Sequence, residues 1–118
     1  MLVTTLDAKA ELEAEGLHVS CNNAQSLWIA ATVQDMEAGI KLSHDACSLT
    51  WNSNRWVAVF PAEGLLTYEV PGFLSELVSL IIAVYANYRQ AGSSMKDAFM
   101  RVMPDAEQFL VGRSRAHV

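Results

Sequence analysis

The sequence predicts an α+β fold: an N-terminal helix, an antiparallel meander of about five or six strands, then a long apolar helix and one or two shorter helices packed on the sheet. Apolar residues recur at helical spacing at both ends of the chain and alternate with period two between them. With 118 residues, 52% hydrophobic and 18% charged, the chain can bury a core without a disulfide or metal. We expect residues 1–118 to form a single domain.

The first element is a short acidic helix that ends near Glu15. Thr4 and Asp7 have the spacing of a capping box, and Gly16 is the kind of residue that ends a helix. The apolar residues that would form its weakly amphipathic face are Leu6, Ala10 and Leu17.

The pattern changes to period two after this helix. Residues 18–21 and 27–33 alternate as strands do, and the turn-rich residues 22–26 between them predict a hairpin. A further short strand is expected at residues 40–43, where Ile40 and Leu42 alternate with polar residues.

Residues 47–70 give the clearest strand signal. Three runs rich in β-branched and aromatic residues are separated by turn residues at 52–54 and 61–64, which predicts a three-stranded meander. If the turns close there, Trp51 faces Trp56 and Trp56 faces Glu69 across the ladder.

This register predicts an apolar residue set on each face of the sheet. One face would carry Cys47, Leu49, Trp51, Trp56, Phe60 and Leu65, and the other Val57, Val59, Leu66, Tyr68 and Val70. In an antiparallel sheet with one face exposed to water, apolar and polar residues should alternate more regularly along each strand. The second face is therefore expected to meet a partner subunit, a ligand, or the sheet itself if it curls.

A long helix is predicted from about Phe73 to Ala91, closed by Gly92. Its apolar set covers most of the circumference, which indicates burial on more than one side. The polar or small strip is Glu76, Ser79, Ala83, Asn87 and Gln90.

A second C-terminal helix would begin after Ser94, whose spacing to Asp97 repeats the capping signature, and end before Pro104. A last turn or two over residues 105–111 would dock Phe109 and Leu110 on the core.

Charge and hydropathy restrict the partners. The net charge is −5, and residues 1–88 hold ten acids and three bases, so the body should repel phosphate and nucleic acid is not expected to bind. No apolar run is long enough to span a membrane, and no basic leader precedes residue 7, so we expect a cytoplasmic protein without membrane contact. The high apolar fraction predicts a homodimer.

Catalytic and metal-binding motifs are not evident. His18 with Cys21, and His44 with Cys47, are the only crowded reactive pairs, and a strand would point His18 and Cys21 to opposite faces. No glycine-rich phosphate loop, GxSxG or HExxH occurs, so no catalytic residue, metal site or cofactor is predicted. The two cysteines are expected to be free thiols.

The central candidates for binding are Trp51, Trp56 and Glu69. The two tryptophans would either line a ligand cup or partner hot spot, or act as ordinary core residues of a hairpin. Glu69, beside Trp56 in the predicted register, would be a functional acid if buried and a solvated residue if it reaches the strand end.

The end of the long helix supplies a second candidate set. Tyr85, Tyr88 and Arg89 could anchor an interface, and packed tyrosines with solvated hydroxyls explain the first two equally well.

The function predicted from these patterns is a non-enzymatic protein-binding module. Small size and acidity are shared with immunity proteins and secretion chaperones, an analogy of charge and size only. The alternative is a small-molecule or enzymatic domain with a pocket between sheet and helices, lined by Trp56 and Glu69.

Overall fold

The computed structural model of the chain describes residues 5–23, 25–32, 46–62, 66–92 and 94–112 and shows the predicted α+β architecture. Its elements in chain order are α1 (Thr5–Ala14), β1 (His18–Asn23), β2 (Ser26–Ala30), β3 (Ala46–Trp51), β4 (Trp56–Pro61), β5 (Leu66–Gly72), α2 (Leu74–Ala91), α3 (Met95–Val102), a 3-10 turn (Ala106–Phe109) and β6 (Leu110–Gly112). The six strands form one antiparallel sheet in the order of the chain.

Helix α1 packs on the core with a different side from the one predicted. Ala8 and Leu12, one turn apart, are fully buried, whereas Leu6 is 71% exposed and Ala10 is also exposed. The expected face of Leu6 and Ala10 is therefore wrong, because an acidic helix with few apolar residues leaves the choice of face to tertiary packing. The expected cap at Thr4 lies outside the described residues.

A Schellman motif ends α1. The amide of Leu17 donates to the carbonyl of Leu12 at 3.2 Å, and the amide of Gly16 donates to that of Glu13 at 3.0 Å. Gly16 takes φ +84°, a left-handed conformation that favours glycine. The motif turns the chain directly into β1.

The first hairpin is confirmed. Strands β1 and β2 pair from His18 opposite Ala30 to Cys21 opposite Leu27, and the register then shifts at a bulge before Asn23. The strand expected at residues 40–43 lies outside the described residues.

The register of β3 and β4 is also confirmed, with Trp51 opposite Trp56 and Leu49 opposite Ala58. The loop between the two strands is closed by a hydrogen bond from the amide of Asn52 to the carbonyl of Arg55 at 2.7 Å.

The predicted register of β4 and β5 is wrong by three residues. Trp56 lies opposite Gly72, Phe60 lies opposite Tyr68, and Glu69 lies opposite Val59 rather than Trp56. Past the predicted turn start, β4 continues to Pro61, and the amide of Ala62 donates to the carbonyl of Leu66.

An odd shift of register exchanges the two faces of a strand. Tyr68 and Val70 therefore join Phe60 on the side of the sheet that the helices cover, where both are buried. Glu69 lies on the opposite side and is exposed. The predicted second apolar face thus loses its large β5 residues.

The core lies between the sheet and the three helices. Helix α2 contacts α1, α3, β4 and β5, which explains its wide apolar arc, and its predicted polar strip is exposed or half-buried. An aromatic cluster joins α3 to the sheet: the Phe99 ring lies 4.8 Å from that of Phe60 and 4.5 Å from that of Tyr68, between centroids.

The C-terminal caps are confirmed, and so is a last turn that docks on the core. Gly92 takes φ +65° after α2, and the Ser94 hydroxyl accepts a hydrogen bond from the amide of Asp97 at the start of α3. The turn predicted within residues 105–111 is a 3-10 turn, and Phe109 and Leu110 pack against the core as expected. The strand β6, which follows it and pairs with β5, was not predicted. No helix in the described ranges is long and apolar enough to cross a membrane.

Candidate functional site

An open groove of about 670 Å³ lies where the β3–β4 loop, the end of β5 and the first turn of α2 meet. The strand register brings these segments together, because Trp51 pairs with Trp56 and Trp56 pairs with Gly72 at one end of the sheet. Helix α2 begins two residues after Gly72, so its first turn forms the remaining wall.

The two tryptophans form the sheet side of the groove. Their ring centroids lie 5.7 Å apart at an interplanar angle of 64°, an edge-to-face arrangement. Trp51 and Trp56 are both half-buried, with one side in contact with the protein and the other open to the groove. Neither tryptophan is fully buried, as an ordinary core residue would be. Both line the groove, as the predicted binding role requires.

Phe73 adds a third aromatic ring and is 76% exposed, the most exposed of the large hydrophobic side chains in the described residues. Its backbone is held firmly. The amide donates to Glu76 Oε1 at 3.3 Å, and the carbonyl accepts the first helical hydrogen bond from Leu77.

The expectation that Phe73 belongs to the buried arc of the long helix is wrong. It is the N-cap residue, with extended backbone angles (φ −78°, ψ 149°), so its side chain does not follow the helical period.

Arg55 supplies the positive charge of the groove. Within the described ranges it is the one lysine or arginine side chain without a hydrogen-bond or ion-pair partner. Lys9 pairs with Glu13, Arg101 donates to Asn87, and Lys96 has a partner as well.

Glu69 does not belong to this groove. It lies on the face of the sheet away from the helices, opposite Val59, and is exposed. The predicted pair of Trp56 and Glu69 is therefore not brought together, and a pocket that needs both side chains is not present.

The other end of α2 holds Tyr85, Tyr88 and Arg89. The buried Tyr85 hydroxyl donates to the carbonyl of Ile29 at 2.9 Å, and the Tyr88 ring lies edge-on to that of Tyr85 at 6.1 Å. Arg89 donates to the carbonyls of residues 15 and 16, at 3.1 and 2.9 Å, where α1 ends. Fifteen residues separate Arg89 from the start of α2, which is about 22 Å along the helix axis.

Cys47 is buried in the core beside Tyr85. Burial raises the pKa of its thiol to about 12, and a hydrogen bond with Tyr85 offsets part of that rise. Cys21 is exposed, and neither cysteine forms a disulfide. They lie on β1 and β3 with β2 between them, at least about 9 Å apart, which is too far for a disulfide. In the described part of the chain no cluster of His, Cys, Asp or Glu could hold a metal ion.

The binding residues predicted from the sequence include the tryptophan pair but not Arg55 or Phe73, which also line the groove. A signal existed for Arg55, which is the only lysine or arginine between residues 46 and 88. For Phe73, the preceding Pro71 and Gly72 mark a helix start, and a large apolar residue at an N-cap has no helical neighbour to bury it.

Comparison with known proteins assigns neither a family nor a function. The sequence matches no protein-family model, no curated protein and no solved structure. The geometry of the groove is therefore the basis for a functional assignment: three aromatic rings and a cation without a partner in the described part of the chain form an open surface suited to recognising an apolar side chain.

Proposed function

We propose that this chain is a small, acidic, cytoplasmic protein-binding module that accepts an apolar side chain of a partner protein in the groove of Trp51, Trp56 and Phe73. The observation that carries the proposal is the exposure of Phe73, a large apolar side chain on a firmly held backbone beside two half-buried tryptophans. Aromatic residues, phenylalanine among them, are enriched in the cores of protein interfaces, and tryptophan is enriched among interface hot spots.

The energetics favour a binding role for Phe73. A phenylalanine can bury about 150–250 Å², so a ring that is 76% exposed leaves roughly 150 Å² to be covered. At about 25 cal/mol per Å² this corresponds to roughly 4 kcal/mol of hydrophobic free energy, before the costs of association. Covering the ring thus supplies a substantial driving force for a partner.

Binding also suits the polar groups of the groove. Among its described lining residues, the carboxylate of Glu76 already accepts the Phe73 amide, and the cation of Arg55 is exposed. This lining supports recognition better than proton transfer, which requires an acid or base positioned at a reacting atom.

A small-molecule site in the same groove is the second candidate. Its volume of about 670 Å³ falls in the range of ligand pockets. Such pockets, however, enclose most of the ligand, and this groove is open and bordered by an exposed ring, so a segment of a larger partner suits it better.

Selection from a random 12-residue peptide library displayed on phage tests the proposal. We expect selected peptides to bind the unmodified chain and Leu6→Ser equally, and to bind Phe73→Ser at least about 10-fold more weakly. Leu6 is a matched control, because it is 71% exposed and does not line the groove. Peptides that bind Phe73→Ser as tightly as the unmodified chain would refute the proposal.

Tryptophan fluorescence gives the affinity directly when Trp28, on the other face of the sheet, is replaced by Phe. The remaining tryptophans, Trp51 and Trp56, both line the groove and should respond to an occupant.

Homodimerisation is a separate proposal that rests on the 52% hydrophobic composition. Light scattering at micromolar concentration should give twice the 12.9 kDa chain mass, and the mass of one chain would refute it.

A further inference from the structure

We infer that the groove prefers a partner segment in which the apolar side chain is followed by an aspartate or glutamate, whose carboxylate pairs with Arg55. The inference rests on the proposed function and adds the chemistry of the partner. Three observations carry it: Arg55 has no side-chain partner among the described residues, its backbone is held beside Trp56, and the other charged residue that lines the groove is already engaged at the start of α2.

Arg55 is a cation in an acidic body and has no side-chain partner among the described residues. Residues 1–88 carry ten acids and three bases, and no other lysine or arginine occurs between residues 46 and 88. Arginine presents planar, paired donors that match a carboxylate, and here no described residue occupies them.

The loop geometry holds Arg55 at the mouth of the groove. Asn52 donates its amide to the Arg55 carbonyl at 2.7 Å, and Ser53 turns the chain with a left-handed φ of +64°. Trp56 follows immediately and is fixed by its pairing with Trp51 and Gly72. A side chain seated against Trp56 therefore places its neighbouring residue within reach of the guanidinium.

The second charge of the groove does not cancel this attraction. Glu76 is in the first turn of α2, where its carboxylate already accepts the Phe73 amide and faces the positive end of the helix dipole. It forms no ion pair with Arg55 within 4.0 Å. Among the described residues that line the groove, Arg55 is thus the charged side chain still open to a partner.

Distant acids oppose an acidic partner only weakly. At physiological ionic strength the Debye length is about 8 Å, so charges beyond the groove are largely screened, whereas a carboxylate in contact with Arg55 is not. An exposed ion pair of this kind is worth up to about 1 kcal/mol, and good bidentate geometry adds to it, so we expect an affinity preference of about 3- to 10-fold.

Two fixed-centre phage libraries test the inference, X5-Phe-Asp-X5 and X5-Phe-Asn-X5. The best peptides of each, with the central Asp and Asn also interchanged, are synthesised with amidated C-termini and titrated in the Trp28→Phe background. We expect each Asp peptide to bind about 3- to 10-fold more tightly than its Asn counterpart. The preference should vanish in Arg55→Gln and persist in Lys9→Gln, which changes the net charge equally away from the groove.

The outcomes separate this inference from the proposed function. Equal affinity for Asp and Asn, a preference that survives Arg55→Gln, or a preference found only for a free C-terminal carboxylate overturns the acidic partner, while loss of binding in Phe73→Ser still supports the groove. If neither library yields a peptide that depends on Phe73, both proposals fail. A dimer that becomes a monomer in Phe73→Ser would assign the groove to a second copy of the chain.

Discussion

Similar residues lie around the two ends of helix α2, in opposite states. At the C-terminal end, Tyr85 and Arg89 donate hydrogen bonds to backbone carbonyls of the protein itself. At the N-terminal end, the Phe73 ring is exposed and the Arg55 guanidinium has no described partner. Both ends have aromatic and arginine side chains, which are common at protein interfaces. Residue type alone therefore does not distinguish a packing role from a binding role.

The two ends differ in whether these side chains already form contacts within the fold. Arg89 joins α2 to the end of α1, and Tyr85 joins α2 to β2. Removing either should therefore affect stability, whereas removing Phe73 or Arg55 should affect binding.

Tyr85→Ala should lower the free energy of unfolding by about 3–5 kcal/mol, because a fully buried aromatic ring and its hydrogen bond to Ile29 are lost. Trp56→Ala should cost less, about 1–3 kcal/mol, since its ring is half-buried at the groove. Urea unfolding of both variants measures the difference. A larger loss for Trp56→Ala would show that the tryptophan pair is part of the core and that the groove is a side effect of packing.

The pH dependence of stability should reveal the burial of Cys47 beside Tyr85. Burial raises the pKa of this thiol from 9.0 to about 12. Below pH 9 the thiol is protonated in both states, and above it only the unfolded chain releases the proton, so stability falls with rising pH by about 1.4 kcal/mol per unit until the folded thiol also ionises.

The control for this prediction is Cys47→Ala, which lacks the titrating group. Urea unfolding between roughly pH 8 and pH 10.5 should show the advantage of the unmodified chain over Cys47→Ala shrinking as the pH rises. A constant difference across that range would mean that the Cys47 thiol ionises as readily in the folded chain as in the unfolded one.

Two arginine variants compare the ends of α2 directly. Arg89→Met should cost about 1 kcal/mol, because two hydrogen bonds to the end of α1 are replaced by hydration of the same carbonyls. Arg55→Met should change stability by less than about 0.5 kcal/mol, because its guanidinium has no partner among the described residues. Equal effects in thermal unfolding would contradict the division between packed and open ends.

The fold class and most element positions could be predicted from local sequence. The turn at residues 52–55 has polar turn chemistry and fixes its own register, so Trp51 was correctly paired with Trp56. The caps at Gly92 and Ser94 are equally local. These signals need no information from distant parts of the chain.

The register of β5 and the strand β6 depend on distant contacts. Pro61 and Gly64 resemble a tight turn, yet burial of Tyr68 against Phe99 of α3 selects a register three residues away. Strand β6 has little alternation of its own and forms by pairing with β5. No local pattern could have predicted either.

The candidate site, like the fold, could be predicted only where local sequence determines it. The tryptophan pair followed from the local turn, while the contribution of Phe73 required knowing that β5 ends opposite Trp56. The predicted pairing of Glu69 with Trp56 failed for the same reason as the register, because a three-residue shift moved Glu69 to the other face.

The smallest stability effect belongs to the residue expected to matter most for binding. Phe73→Ser should change the free energy of unfolding by less than about 0.5 kcal/mol, because the ring is 76% exposed and the backbone hydrogen bonds at the start of α2 do not involve it. A serine at the N-cap can also accept a hydrogen bond from the first turn, which would stabilise the helix and offset the lost contacts. Thermal unfolding should therefore place Phe73→Ser beside Leu6→Ser, near the unmodified chain. If Phe73→Ser instead unfolds several degrees lower, its ring packs against Trp56 as part of the core, and weaker peptide binding by that variant would no longer identify an open site.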